Sequence, residues 1–167
     1  MALAAPTLPF NLPERSVPQD ANLTFTTGQT ITSTGYFSTG GATQLDLLSG
    51  ARKDGYWCID VSAMDLASGD ETYKLFLMGS NDSGWTNGAV EILATRDFAA
   101  ASSGRLVATI VPASYAVPIT GRTATRFAIP FTNFIGAYSF RYLQMYGVLG
   151  GTTPSITLSS WITFDAC

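Results

Sequence analysis

The stretch 56–80 constrains the fold more than any other part of the sequence, because two runs in it alternate in side-chain character. In the first run, Trp57, Ile59 and Val61 fall on one face of an extended chain, and smaller or polar side chains fall on the other. A period of two is typical of a half-buried β-strand. Turn-forming residues at 66–71 separate the two runs. We therefore predict a β-hairpin with a long loop near the centre of an all-β domain.

The second run, at residues 73–80, is apolar on both faces of the predicted strand. Leu75 and Leu77 lie on one face, while Phe76 and Met78 lie on the other. A strand with two apolar faces belongs in the interior of a sheet, or beneath a covering layer or subunit. The second run therefore predicts a strand that is flanked on both sides.

Short alternating runs recur along the chain, between turns rich in Gly, Pro and Asn, and no long helix or internal repeat is evident. Further strands are predicted at 23–26, 29–37, 43–48, 89–96, 105–111, 123–131, 138–148 and 155–164, and a helical turn at 97–103. Pro130 indicates an edge strand or a strand end. We predict an antiparallel two-sheet sandwich or jelly roll. An immunoglobulin-like sandwich is the alternative, although Trp57 directly precedes Cys58, so the expected Cys-Trp-Cys spacing is absent.

Residues 1–20 differ in kind from the predicted domain at 21–167, because they contain four prolines. Proline at this density excludes helix and central strand. We predict an extended arm that lies along a neighbouring subunit, with Phe10 and Leu12 as apolar contacts and Arg15 as a charged one. A disordered tail is the alternative.

Composition limits the classes of partner. Charged residues make up 13 % of the chain and the net charge is −3, with no basic block, so nucleic acid is not an expected partner. No apolar run reaches the length of a membrane span, and no secretory signal is evident, so folding in the cytoplasm is expected. Cys58 and Cys167 are accordingly predicted to be thiols rather than a disulfide.

The sequence contains no motif for catalysis. Histidine is absent, which removes the commonest general base and most zinc sites, and neither a phosphate loop nor a nucleophile elbow is present. The carboxylates Asp60, Asp65, Asp70 and Glu71 cluster around the predicted hairpin. They suggest calcium as an alternative, but their spacing is not that of an EF-hand, and a solvated acidic face is favoured. We predict a protein without enzymatic activity, cofactor or metal.

Three aromatic residues are candidate partner contacts. Trp85 and Tyr115 lie in predicted loops, and Trp161 lies on a Thr- and Ser-rich face of the last predicted strand. Tryptophan and tyrosine are enriched at interface anchors. The alternatives are that Trp85 folds back onto the core and that Trp161 stacks across neighbouring strands.

With the predicted strands in place, residues 20–164 resemble the jelly-roll capsid cement, or decoration, proteins of tailed bacteriophages, of the Bordetella-phage type. The resemblance is carried by Thr-Gln-Leu-Asp-Leu-Leu-Ser-Gly at 43–50, Trp-Cys-Ile-Asp-Val-Ser-Ala-Met-Asp at 57–65, Tyr-Lys-Leu-Phe-Leu-Met-Gly-Ser-Asn-Asp at 73–82, Phe-Arg-Tyr-Leu-Gln-Met-Tyr-Gly-Val at 140–148 and Thr-Thr-Pro-Ser-Ile-Thr-Leu-Ser-Ser-Trp-Ile at 152–162.

The resemblance implies a structural virion protein, made in the host cytoplasm, that binds the outside of an icosahedral head. Its expected partners are the major capsid protein and further copies of itself, as a dimer or trimer. Two other non-enzymatic functions stay open. One is a carbohydrate- or receptor-binding module of a tail, with Trp85, Tyr115 and Trp161 as a sugar platform. The other is a further structural component of the head or tail.

Overall fold

The computed structural model describes residues 23–38, 44–48, 50–86, 90–100 and 125–164, and these residues form strands and loops without a helix long or apolar enough to span a membrane. In chain order, the strands are β1 Thr24–Ile31, β2 Gly35–Tyr36, β3 Leu45–Asp46, β4 Asp54–Met64, β5 Thr72–Ser80, β6 Val90–Ala99, β7 Thr125–Thr132, β8 Phe134–Ile135, β9 Tyr138–Ser139, β10 Tyr142–Gly150 and β11 Ile156–Thr163.

The strands form two antiparallel sheets and a small hairpin. The first sheet has the order β1-β11-β4-β7, and the second has the order β2-β10-β5-β6, with β3 also paired to β10. The pairs are nested: β5 with β6, then β4 with β7, then β2 and β3 with β10, then β1 with β11. Successive pairs lie in alternate sheets, as in one long antiparallel hairpin rolled into a sandwich. This is the jelly roll, so the predicted fold class is confirmed, and the order is not that of an immunoglobulin sandwich.

The predicted hairpin at 56–80 is wrong, although its two strands exist. β4 belongs to the first sheet and β5 to the second, and the loop at 65–71 crosses between the sheets. The physical reason is that the apolar face of each strand needs a covering layer. With the sheets face to face, the inner row of β4, which includes Trp57 and Ile59, and that of β5, which includes Leu75 and Leu77, enter one core.

Three smaller predictions have different outcomes. The strands predicted separately at 23–26 and 29–37 are joined, because β1 continues through Gly28, which adopts a φ of 59° at an irregularity in the pairing with β11. The helical turn at 97–103 is wrong where it is described, because β6 continues to Ala99. Pro130 lies in β7, which is at the edge of the first sheet among the described strands, in agreement with one of the two predicted alternatives. The arm at 1–20, its boundary with the domain and the predicted strand at 105–111 lie outside the described residues.

The indole N–H of Trp57 is a polar group inside the core, and it has a hydrogen-bond acceptor there. Trp57 is completely buried, and its indole Nε1 donates a hydrogen bond to Ser160 Oγ at 2.8 Å. The Ser160 hydroxyl in turn donates to the carbonyl oxygen of Cys58 at 3.0 Å. A buried donor left without an acceptor is costly. The small Ser160 side chain therefore allows a tryptophan to sit at the centre of the sandwich.

We predict that Ser160→Ala lowers the free energy of unfolding by about 1–3 kcal/mol, because it leaves the Trp57 indole N–H unsatisfied inside the core. Ser159→Ala is the matched control, since Ser159 points to the opposite side of β11 and accepts only an exposed bond from the Gly28 N–H. Denaturant unfolding with an unchanged m-value measures both. Equal midpoints for the two variants would contradict the argument.

A buried tyrosine ties together the loops at one end of the sandwich. The Tyr73 hydroxyl donates to the carbonyl oxygen of Asp65 at 2.6 Å and accepts from the Ser155 N–H at 3.1 Å. Beside it, Asp70 accepts from both the N–H and the hydroxyl of Thr152. Burial raises the pKa of the Tyr73 phenol above its ordinary value. These bonds attach the β4–β5 loop to the β10–β11 turn.

The raised pKa predicts a loss of stability in alkali. The unfolded chain releases the phenolic proton at about pH 10, and the folded chain releases it only at higher pH. Between the unfolded and the folded pKa of Tyr73, the folded state binds more protons than the unfolded state. The stability that the neutral phenol contributes is therefore complete below about pH 10, and it is lost as the pH rises through the folded pKa. Unfolding free energies measured between pH 8 and 11 should fall more steeply for the native protein than for Tyr73→Phe. Parallel curves would refute the assignment.

Candidate functional site

Three loops meet at the opposite end of the sandwich, and we call this region the loop end: residues 46–48 with 50–53, 81–86 and 133–141. The Asn81 side chain donates to the carbonyl oxygen of Ser139 at 2.8 Å and accepts from the Arg141 N–H at 3.0 Å. The Leu47 N–H donates to the Arg141 carbonyl at 2.9 Å, and the Ser139 hydroxyl donates to the carbonyl of Gly50. These bonds hold all three loops in one arrangement.

The central support of the loop end is Asn133, whose side chain is fully buried and fully hydrogen-bonded. Its Oδ1 accepts from the Lys53 N–H at 2.6 Å. Its Nδ2 donates to the carbonyl oxygens of Ala51 and Phe140, at 3.1 and 2.8 Å. The side-chain amide of Asn133 thus satisfies backbone groups both in the 50–53 loop and at the base of the β8–β9 hairpin. Asparagine is suited to this position because it supplies donors and an acceptor together.

Leu48 is the most unusual residue of the loop end. It is 81 % exposed and adopts a φ of 60°, in the left-handed region that leucine rarely occupies. Asp46 holds it there, since its Oδ1 accepts from the Leu48 N–H at 2.8 Å. Arg141 fixes Asp46 in turn through two bonds of 2.7 Å. A strained backbone that displays a large apolar side chain to solvent is a feature that points to function rather than stability.

Trp85 is presented in a similar way from the next loop. Asp82 accepts bonds from the N–H groups of Gly84 and Thr86, and Trp85 itself adopts a φ of 55°. Its indole Nε1 donates to Gln44 Oε1 at 2.7 Å. Because Gln44 precedes β3, on the far side of β10 from β5, the indole reaches across the end of the second sheet. Trp85 is half-buried, so it is neither a fully covered core residue nor a freely displayed one.

The β8–β9 hairpin carries the remaining apolar side chains of the loop end. Ile135 and Tyr138 face each other across it, and Tyr138 is 70 % exposed. Together with Asn81, Glu91 and Phe140 they line a pocket of about 310 Å³. We define Leu48, Trp85, Ile135 and Tyr138 as the apolar rim.

Two ion pairs lie at the loop end or directly beside it, Asp46 with Arg141 and Asp54 with Arg52. The hydrogen bond from Arg141 holds the pKa of the Asp46 carboxyl below its ordinary value, and that bond raises the pKa of the guanidinium. Hydrogen bonds from Thr132 and Arg52 likewise lower the pKa of Asp54. The rim is therefore an apolar surface bordered by neutralised ion pairs, which can bind a partner by burying hydrocarbon rather than by net charge.

The acidic residues considered for calcium are separated in the structure. Asp60 pairs with Arg126 at 2.7 Å on the outer face of the first sheet. Asp65 accepts from a local N–H, Asp70 bonds Thr152, and Glu71 accepts from the Ser68 N–H. Within the described ranges, no three His, Cys, Asp or Glu side chains are placed to hold a metal ion.

The structure locates only some of the residues proposed from the sequence. Trp161 is just 3 % exposed, with the Arg126 guanidinium 5.4 Å from the centre of its ring, so its proposed display at a surface is corrected. Its ring fills space on the outer side of β11 instead. The proposed contacts Phe10, Leu12, Arg15 and Tyr115 lie outside the described residues. Cys58 is a buried thiol on the outward side of β4, and Cys167 is not described.

Sequence reasoning missed three of the four rim residues. Leu48 ends the strand predicted at 43–48, and nothing in that alternation distinguishes it as a displayed residue. Ile135 lies in a strand of two residues, too short for periodicity to show. Tyr138 falls in a single strand predicted at 138–148, which the structure divides into β9 and β10. A signal that could have found the β8–β9 hairpin is Gly136, which adopts a φ of 64° in the turn.

Comparison with protein-family models, with curated proteins and with solved structures yields no match for this chain.

We predict that Asn133→Asp destabilises the protein by about 2–4 kcal/mol, because the substitution points a carboxylate at the carbonyl oxygens of Ala51 and Phe140. The introduced carboxyl should have a raised pKa in the folded state. The loss of unfolding free energy should therefore shrink as the pH falls and the carboxylate becomes protonated. Thermal unfolding between pH 4.5 and 8 measures this effect.

Asn81→Asp is the control for that substitution. Asn81 makes comparable bonds, but its side chain is exposed and water can solvate a carboxylate there. A deficit of the same size for both variants, or one independent of pH, would show that Asn133 is not the support described above.

Proposed function

We propose that this protein is a structural virion component that decorates the outside of a tailed-phage head and stabilises contacts between major capsid subunits. The proposal combines the resemblance of residues 20–164 to jelly-roll cement proteins with the antiparallel jelly roll of the described residues. The fold alone does not select this function, because jelly rolls also serve lectins and enzymes. The observation that carries the proposal is the apolar rim.

The rim has the properties of a contact surface for a large protein partner. Its side chains are apolar and project from a hydrogen-bonded framework, and two of them, Leu48 and Trp85, are held by backbone conformations that cost free energy. A surface that is preorganised in this way loses little conformational entropy on binding. Exposed apolar clusters with a polar border are typical of protein interfaces. We therefore assign the capsid contact to the loop end.

Stabilisation of the head follows from linkage. A protein that binds only the assembled shell, at sites shared by neighbouring capsid subunits, favours the assembled state in proportion to its binding free energy. Neither catalysis nor a cofactor is needed. In this proposal the protein acts at the virion surface, with the major capsid protein as its partner, and neither nucleic acid nor membrane is involved.

Carbohydrate binding is the second candidate, and one observation favours it. The pocket at the β8–β9 hairpin combines the exposed ring of Tyr138 with the carboxylate of Glu91. However, the Asn81 amide that also lines this pocket is already bonded to the Ser139 carbonyl and the Arg141 N–H. Sugar sites need several convergent polar groups. The pocket is therefore better suited to an apolar side chain of a protein partner.

The test is binding to emptied heads of the phage that encodes the chain. We expect Leu48→Asn and Tyr138→Ser each to weaken binding by about 10-fold or more, since each removes an exposed apolar contact. Asparagine tolerates the left-handed backbone of position 48, so this variant should fold normally. Co-sedimentation of labelled protein with heads gives the affinities.

Ala63→Ser is the control, because residue 63 is exposed near the far end of β4. Unchanged affinity for both rim variants would refute the assignment of the contact to the loop end.

Loss of binding in Phe10→Ala alone would place the contact in the predicted arm. Glycan-array binding, without binding to heads, would favour the tail module. Counting copies per virion also separates the two, since a cement protein is present in hundreds and a tail module in few.

A further inference from the structure

We propose that the outer face of the second sheet binds the same face of a second copy, to form a two-fold symmetric dimer. We define this face by its apolar residues, which are Tyr36, Phe76, Met78, Ile92, Tyr146 and Val148. The inference concerns a surface other than the loop end, and it holds whether or not the protein binds a capsid.

The centre of this face is a row of aromatic rings that crosses three strands. Tyr36 on β2 pairs with Tyr146 on β10, and Tyr146 pairs with Phe76 on β5. The two tyrosine rings meet edge to face, with centroids 4.8 Å apart. Tyr36 remains 49 % exposed. Aromatic rings on the solvent side of a sheet are typical of interface cores, where they bury large areas at low entropic cost.

Aliphatic side chains continue the apolar surface on both sides of the aromatic row. Met78 lies opposite Ile92 on β6, and Ile92 is 51 % exposed. Val148 lies on the other side of the row, opposite Lys74, and is exposed as well.

The face also carries the polar side chains of Thr95, opposite Phe76, and of the buried Gln144, opposite Met78, but its apolar side chains outnumber them. An antiparallel sheet that faced only water would be mainly polar on this side. The apolar composition of the outer face therefore indicates a covering layer.

The charges on this face argue for a second copy as the covering layer. Lys74 and Asp97 lie 4.0 Å apart at one end, and Asp46 pairs with Arg141 at 2.7 Å at the other end. Between these pairs, the described residues of the face carry no charge. A two-fold axis through the centre of the face places the apolar centre of one copy on that of the other. The ion pairs at the ends of the two faces then lie near each other, and because each pair is neutral, like charges do not repel. A nucleic acid or an anionic membrane would require a basic surface instead.

The size of the face is sufficient for a reversible dimer. Four strands about 4.8 Å apart and a length of about 20 Å from Tyr142 to Val148 give a plan area of about 400 Å². Because side chains make the surface uneven, the accessible area is larger, and two copies bury roughly 1,000 Å² or more. That is near the lower bound for specific interfaces, so we expect a dissociation constant in the micromolar range.

Analytical ultracentrifugation of the full chain between about 1 and 200 µM tests the proposal. We expect a monomer–dimer equilibrium, and we expect Ile92→Lys to raise its dissociation constant about 100-fold, because an isologous interface contains each substitution twice. Lysine is well tolerated at an exposed position of an edge strand, so the variant should keep its far-ultraviolet spectrum and melting temperature.

Leu48→Lys is the matched control, since it places the same charge at an exposed leucine of the loop end. Leu48→Lys should dimerise like the native protein but lose affinity for heads. Ile92→Lys should dimerise poorly but still bind heads when it is added at saturating concentration. This contrast separates a failure of the dimer from a failure of the proposed capsid contact. A monomer at 200 µM, a closed trimer, or a dimer unaffected by Ile92→Lys would each overturn the inference.

Discussion

The structure depends on the contact between two apolar stripes that face each other across the sandwich. β4 supplies the central tryptophan and its aliphatic neighbours, and β5 supplies Tyr73 and two leucines. Each stripe alone would expose several hundred square ångströms of hydrocarbon, at about 25 cal/mol for each square ångström. Their mutual burial is what separates two adjacent strands into different sheets. The nested pairing of the remaining strands then follows, because each must join a sheet that already has an inner and an outer side.

The class of fold could be predicted from the sequence, but the pairing of the strands could not, and each outcome has a physical reason. Alternation in β4, β5 and β11 reports local burial, and burial is a property of single residues that periodicity can reveal. Pairing is not local, since the apolar row around Trp57 is equally compatible with a hairpin and with a facing sheet. Trp161 shows the same limit, because its neighbours Ser159 and Thr163 suggested a solvent face, whereas the structure buries the ring beside Arg126. The loop end was the least predictable region, because Asn133 organises it through contacts with residues about 80 positions away.

Two surfaces of the domain are built on different principles. The loop end displays a few large side chains from a framework of hydrogen-bonded loops, so its shape is determined by that framework. The outer face of the second sheet is broad, shallow and regular, and its shape is that of the sheet itself. A jelly roll can carry both because its loops and its sheet faces lie on different sides of one core. The two surfaces meet at the Asp46–Arg141 pair, and substitutions away from that pair need not disturb the other surface.

The position of β11 has a consequence for how the chain acquires its structure during synthesis. β11 is the last of the described strands to emerge from the ribosome, yet it occupies an interior place in the first sheet, between β1 and β4. Until it arrives, β1 has no partner in that sheet and one edge of β4 is open. Nascent chains with unpaired strand edges are prone to aggregate and are typical clients of chaperones. The domain therefore cannot close its first sheet progressively from the amino terminus, and its folding must wait for nearly the whole described chain.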